Sequence, residues 1–230
     1  MKKKTWGGRR VGAGRKKKPG RSRVVHRTRP ALATLSPVHV TLRMVDGLPT
    51  LRSLKMAGAL NAAFAGGKER PGFRVVHFSV MKNHMHLVVE ADDRTSLSSG
   101  MQGLMVRMAH HLNRALLRRG KVFADRFHSR ALGSTVDVRN TLLYVLNNAR
   151  RHGIALAQPI DPYSSGAWFT GWCEEFPLPL RASPVAAARS WQLRDGWLLH
   201  GRLDPHRVPA AGSVCDVLAA PCATSRNRGH

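Results

Sequence analysis

Residues 73–91 read FRVVHFSVMKNHMHLVVEA, and this stretch decides the fold. Two apolar, β-rich runs, 73–80 and 85–89, flank a polar break at Lys82-Asn83, the pattern of a β-hairpin whose strands lie inside a sheet. The second strand opens on His84-Met85-His86. Successive strand side chains point to opposite faces, so His84 and His86 share one face, with Cα atoms roughly 7 Å apart. Met85 turns to the apolar side. Two neutral imidazoles so spaced can converge on one divalent ion. A chain with 12 histidines also produces one His-x-His strand by chance, so the pair needs a second element.

Working outward, 35–45 (LSPVHVTLRMV) alternates as a first strand, with Val38, Val40, Leu42 and Met44 on one face. Asp46-Gly47 marks a turn, and 51–65 has helical apolar spacing closed by Gly66-Gly67. After the hairpin, 96–119 predicts a long amphipathic helix with Met101, Leu104, Met105, Met108, Leu112 and Leu116 inward and arginines outward. A further strand is expected over 122–132, bringing Asp125, Arg126, His128 and Arg130 to the site side. A helix is expected over 136–152, closed by Gly153. The order β-α-β-β-α-β-α predicts an α+β fold: a ferredoxin-like antiparallel sheet of four strands with helices packed on one face. The expected organisation is a disordered basic tail over 1–30, a catalytic domain over 31–155 and a loop-rich, partly helical extension over 156–230 with a frayed end. Within that extension, 190–201 predicts a short helix burying Trp191, Leu193, Trp197 and Leu198.

The chain has 230 residues and a formal net charge of +25. That imbalance calls for an acidic polymer, nucleic acid first. No apolar run approaches the roughly 20 residues of a spanning helix, which argues against a membrane partner, and the basic N-terminus has no apolar core of a secretory signal. The three cysteines, Cys173, Cys215 and Cys222, lack metal-type spacing and fit a reducing compartment. The cytoplasm is therefore expected. The first 30 residues hold 13 Lys/Arg and no acid. Their piece Gly14-Arg15-Lys16-Lys17-Lys18-Pro19-Gly20-Arg21 looks like a degenerate AT-hook, a basic arm for the minor groove, although a tail acting only through counterion release reads the same way.

The second element is Tyr144, followed four residues on by Asn148, a spacing that puts both on one helical face. Beside the central strand, a phenol and an amide would face the two histidines. A cation on two imidazoles and one amide oxygen keeps positions open for phosphate oxygens, and the phenol can then attack phosphorus. Taken singly, Tyr144 is equally a half-buried helix residue with its hydroxyl in water.

MKNHMHLVVEA resembles the histidine–hydrophobe–histidine (HUH) signature of single-tyrosine transposases, usually Met-Pro-Asn-His-x-His before an apolar strand. YVLNNARRHGI is similar to the tyrosine helix of the REP-associated, IS200-like branch, usually Tyr-x-x-x-Asn-Pro-x-Arg-x-Gly. The likeness runs over about residues 35–155. It implies Tyr144 as nucleophile, His84, His86 and Asn148 as ligands of Mg²⁺ or Mn²⁺, and cleavage of hairpin-forming single-stranded DNA through a 5′-phosphotyrosine with release of a 3′-hydroxyl. It further implies DNA transposition in a bacterial, nucleoid-associated setting, by a monomer or homodimer with no small-molecule substrate. Lys82 stands at the usual proline and adds a cation near phosphate. Ala149 replaces the other proline and is expected to let the helix continue. Arg126, Arg150 and Arg151, with Lys82, Arg15, Lys16, Lys17, Lys18 and Arg21, are the expected DNA contacts. Two other readings stay open: a DNA-binding module of the same fold with its chemistry unused, and a His-x-His metallohydrolase. The latter is disfavoured because the chain before 155 lacks the eight βα units of a barrel.

Overall fold

The computed structural model describes residues 35–210. The basic segment 1–30 with its AT-hook-like piece, Cys215, Cys222 and the expected frayed end lie outside the described residues. Strands β1 (Ser36–Arg43), β2 (Glu69–Arg70), β3 (Phe73–Val80), β4 (His84–Ala91) and β5 (His128–Ala131) form one antiparallel sheet in the order β2-β3-β4-β1-β5. The α+β antiparallel architecture expected from the sequence is the one that forms, with the two-residue β2 added at the edge.

Alternation sorts the sheet's two faces. Val38, Val40 and Leu42, with Val75, Phe78, Met85, Leu87 and Val89, turn to one face. There they meet Met56, Leu60 and Phe64 of α1 (Leu54–Ala65) and Leu97, Met101, Leu104, Met108 and Leu112 of α2 (Arg94–Ala115). Each such side chain contributes about 1.5–3 kcal/mol on full burial. Both helices start at oxygen caps. Ser53 Oγ accepts from Met56 N, so α1 begins three residues later than its apolar pattern. Asp93 Oδ1 accepts from Ser96 N at 2.6 Å, so α2 begins earlier. It ends at Ala115, short of the expected Arg119, where Leu117 takes a left-handed φ of 51°. The strand expected over 122–132 contracts to β5, with one isolated bridge, Met44 to Phe123, ahead of it.

The helices do not all lie on one face. α1 and α2 do, but α3 (Thr135–Leu146), which α4 (Asn148–Arg151) follows directly, packs on the other. The reason lies in β3 and β4. A register irregularity between Val75 and His77 turns Val76 to the second face, beside Val88. Those apolar groups need cover, and Val138, Leu142, Val145 and Leu146 of α3 supply it together with Phe169, Trp172, Leu193, Trp197 and Leu203. The helix expected over 136–152 is two helices because Asn147 breaks it with φ −103° and ψ 17°. The asparagine amide donates to the carbonyls of Asp204 and Arg207, both at 2.9 Å.

The segment after Ile154 is short elements tied down by polar anchors: a 3-10 turn at Ser165–Trp168, α5 (Trp191–Arg194) and a 3-10 turn at Gly196–His200. Val80 N donates to Tyr163 O. Arg52 grips the buried Asp161 carboxylate through two bonds of 2.9 Å and also donates to Val80 O at 2.8 Å. Glu90, 1% exposed, accepts from the backbone N–H groups of Arg189 and Ser190. Leu193 and Trp197 are buried as expected, whereas Trp191 and Leu198 are 53% and 41% exposed because the helix stops after four residues. Among the described residues, no helix is long and apolar enough to cross a membrane.

Two outcomes follow from this cover. Arg52→Ala leaves Asp161 buried with its charge uncompensated, and should lower stability by about 3–5 kcal/mol in urea unfolding. His77 packs edge-on against Phe169 and pairs its Nδ1 with Ser165 Oγ at 3.2 Å. Burial lowers its pKa from 6.5 to about 4. A histidine held neutral in the fold and free to protonate when unfolded leaves stability unchanged above pH 6.5 and reduces it as pH falls toward 4, because the unfolded chain then binds the extra proton. Thermal midpoints should therefore fall across that window, and His77→Gln should flatten part of the fall.

Candidate active site

The antiparallel pairing of β1 with β4 sets Thr41 opposite His86 and Arg43 opposite His84. His84 and His86 emerge on the face opposite the α1/α2 core, as the strand period predicts, while Met85 is fully buried among that core. The two rings lie perpendicular, with centroids 5.1 Å apart. His84 Nδ1 donates to Asn83 Oδ1 at 3.0 Å, which leaves the Nε2 lone pair for a ligand. His86 is 6% exposed. Its Nδ1 lies 3.1 Å from His39 Nε2 and 3.3 Å from Thr41 Oγ1, and its ring stacks on that of His39 at 5.2 Å. Its Nε2 is buried with no hydrogen-bond partner.

Tyr144 comes down on this group from α3. Its ring meets His86 edge-on at 5.1 Å and His39 at 5.8 Å, and the Arg151 guanidinium lies 5.6 Å from the ring centroid. The other tyrosine in the chain, Tyr163, stands elsewhere, with Arg52 over its ring at 4.5 Å. Asn148 begins α4 directly after the helix break. It is fully buried, and both polar atoms of its side chain lack partners. Folded proteins leave few such groups unpaired. Here the atoms concerned include the free nitrogen of His86 and the amide of Asn148, the donor types a divalent cation takes alongside phosphate and water. The residues fit a metal site.

The protonation states agree with that fit. Burial lowers His86 to about 3, with the neighbouring imidazoles His39, His84 and His152 adding to it. Burial likewise lowers His84, whose ring meets that of His152 at 5.4 Å, and it lowers His39 to about 4, with Arg130 pushing the same way. All three are neutral at pH 7, the form that ligates a metal. Among the described residues, the one group of three or more His, Cys or carboxylate side chains with donor atoms within 4.8 Å of one another is Cys173, Glu174 and Asp204, on the C-terminal segment. Among the described residues, no such set includes His84 or His86.

The expected DNA contacts divide. Lys82 is exposed in the hairpin turn two residues before His84. Arg126 is exposed too, but lines a groove against Ser98, Gln102 and Met105 of α2, the helix that covers the opposite face of the sheet. Arg150 and Arg151 face inward to the C-terminal segment. Arg150 donates to Pro205 O at 2.9 Å and Pro159 O at 3.0 Å, and Arg151 donates to Ala210 O at 2.7 Å. Arg15, Lys16, Lys17, Lys18 and Arg21 lie outside the described residues. On β5, His128 pairs with Thr41 and Arg130 with His39, and Arg130 also holds Asp137 at 2.7 Å.

Sequence reasoning does not reach His39, Thr41 or His152. The two on β1 alternate in step with Val38, Val40 and Leu42, so the pattern places them on the far face, but only the pairing register brings them against His86.

A family model described as "Transposase IS200 like" matches residues 38–148, the span from within β1 to Asn148. The solved structure of a REP-associated tyrosine transposase bound to a REP hairpin is similar in fold, with a TM-score of 0.52 at 18% identity over 68% of this chain and 98% of that one. No curated protein matches. The matched span holds both histidines, the tyrosine and the buried asparagine, in the order the sequence signature leads one to expect. Through it, the chain is similar to the IS200-like transposase family.

Proposed function

We propose that this protein nicks and rejoins single-stranded DNA through Tyr144, in a site completed by a divalent metal on His84, His86 and Asn148. The observation that carries the reading is the buried, unpartnered Nε2 of His86, on a ring that meets the Tyr144 ring edge-on with centroids 5.1 Å apart. A bound Mg²⁺ or Mn²⁺ there would neutralise charge on the non-bridging oxygens of the scissile phosphate. The remaining steps belong to the protein. The phenol oxygen of Tyr144 forms a bond to phosphorus, the P–O3′ bond breaks, the phenol proton is lost, and the departing oxygen ends as a 3′-hydroxyl. The 5′-phosphotyrosine conserves the phosphodiester energy, so a 3′-hydroxyl can reverse the step without an external energy source.

The stacking of His86 on His39 and the edge contacts to Tyr144 hold the nucleophile in place before substrate arrives. Lys82, beside the site, and Arg126, at the sheet's other side, would meet backbone phosphates, joined by the basic segment Arg15, Lys16, Lys17, Lys18 and Arg21. Arg150 and Arg151 would act from within the fold, with their guanidinium groups committed to carbonyls beside the tyrosine helix. The similar REP-associated transposase was solved on a REP hairpin, and hairpin-forming single strands are the substrate class proposed here.

The test is a covalent-adduct assay on labelled hairpin strands from the DNA flanking the gene, with Mn²⁺ or EDTA, resolved on a denaturing gel. The wild type should give a metal-dependent shifted band that Tyr144→Phe abolishes and His86→Ala reduces by about 100-fold or more, since losing a ligand costs at least as much as disturbing its outer partner. A band surviving in Tyr144→Phe moves the nucleophile. Strands that bind without any adduct would point to a binding module with its chemistry unused.

A further inference from the structure

Alternation along β1 assigns its apolar face a place in the core and its other face no role, yet His39 on that second face touches both of the groups on which the site depends. Its Nε2 lies 3.1 Å from His86 Nδ1, its ring stacks on His86 at 22° between planes, and the same ring meets Tyr144 at 75°. A neutral imidazole carries one proton on one of two nitrogens, and whichever nitrogen is hydrogen-bonded as donor leaves the other as the lone-pair site. Two nitrogens facing one another at 3.1 Å must therefore take complementary states. If His39 Nε2 donates, the proton of His86 sits on its own Nε2, buried with no acceptor and blocking any ligand. If His39 Nε2 accepts, His86 carries its proton on Nδ1 and presents the Nε2 lone pair. Thr41 Oγ1, 3.3 Å from the same Nδ1, can accept from it as well.

We propose that His39 is the positioning residue of this site: as hydrogen-bond acceptor and stacking partner it fixes His86 in the Nδ1–H tautomer and sets the tilt between His86 and Tyr144. His84 is held in the matching tautomer by Asn83 Oδ1, so both imidazoles present Nε2. The two use different devices, a neighbouring asparagine in the turn for one and a cross-strand histidine for the other. The inference rests on the proposed metal site for its consequence, though not for the tautomer itself. Outer partners that fix a ligand histidine commonly change metal affinity about 10–100-fold.

The experiment reads the tautomer and the metal separately, in full-length protein without DNA. Long-range ¹H–¹⁵N spectra of the metal-free protein at pH 7.5, with the His86 signals assigned by their loss in His86→Ala, should show the proton on Nδ1. His39→Phe keeps a stacking ring and removes the acceptor, and His39→Gln keeps an acceptor. In Mn²⁺ titrations followed by electron paramagnetic resonance, His39→Phe should weaken binding about 10–100-fold at unchanged thermal midpoint, and His39→Gln should recover most of it. A proton on His86 Nε2 in the wild type overturns the proposal. So does unchanged Mn²⁺ affinity in a folded His39→Phe. If the wild type itself binds no Mn²⁺, the metal reading falls instead, and the tautomer spectra alone decide for or against His39. If His39→Phe does not fold, the wild-type spectrum and the Mn²⁺ affinity of His39→Gln decide in its place.

Discussion

Everything at this site depends on the register with which β1 lies beside β4. With Thr41 opposite His86 and Val40 opposite Leu87, one face of both strands is Val38, Val40, Leu42, Met85, Leu87 and Val89, all within the core under α1 and α2. The same pairing collects His39, Thr41, His84 and His86 on the other face. A slip of one residue would drive histidines into the apolar core and valines out of it. The apolar face therefore specifies the polar one. Hydrophobic burial on one side of the sheet fixes the position of chemistry on the other.

The polar face still has to be covered, and that cover sets the properties of the imidazoles. α3 and the C-terminal segment share a cluster built on Leu142, Leu146, Phe169, Trp172, Trp197 and Leu203. Neutral His86 and His39 are a consequence of the desolvation this cover brings. Several guanidinium groups are also used up inside the fold. Arg52 binds Asp161, Arg74 lies between Glu69 and Glu90, Arg139 donates to Gly201 O, and Arg150 and Arg151 hold carbonyls around residues 205–210. Net charge overstates the capacity to bind phosphate when guanidinium groups serve as internal cross-ties.

This division marks what could be read in the chain. The hairpin, the His-x-His face and the tyrosine helix are local periodicities of 2 and 3.6, so His84, His86 and Tyr144 could be placed from sequence. The break at Asn147 could not. An asparagine inside YVLNNARRH has no local reason to interrupt a helix, and the reason sits about 60 residues away at Asp204 and Arg207. The inward turn of Arg150 and Arg151 has the same origin. The second helical layer escapes the sequence for a related reason: Val76 reaches that face only through the irregularity between Val75 and His77, which strict alternation does not anticipate.

The break at Asn147 separates two demands that one straight helix would have coupled. Tyr144 is half-buried with its ring edge-on to His86, whereas Asn148 is wholly buried. Ending α3 at Leu146 and starting α4 at Asn148 lets the two residues sit at different depths although they are four apart in sequence. The clasp on Asn147 from the C-terminal carbonyls holds that interruption in place. The unpaired amide of Asn148 and the unpaired Nε2 of His86 are then the unfavourable remainder of the design, roughly 1–3 kcal/mol apiece in lost hydrogen bonding. A fold that had only to be stable would fill both positions with apolar groups. Both positions stay polar here, which the proposed metal site would account for.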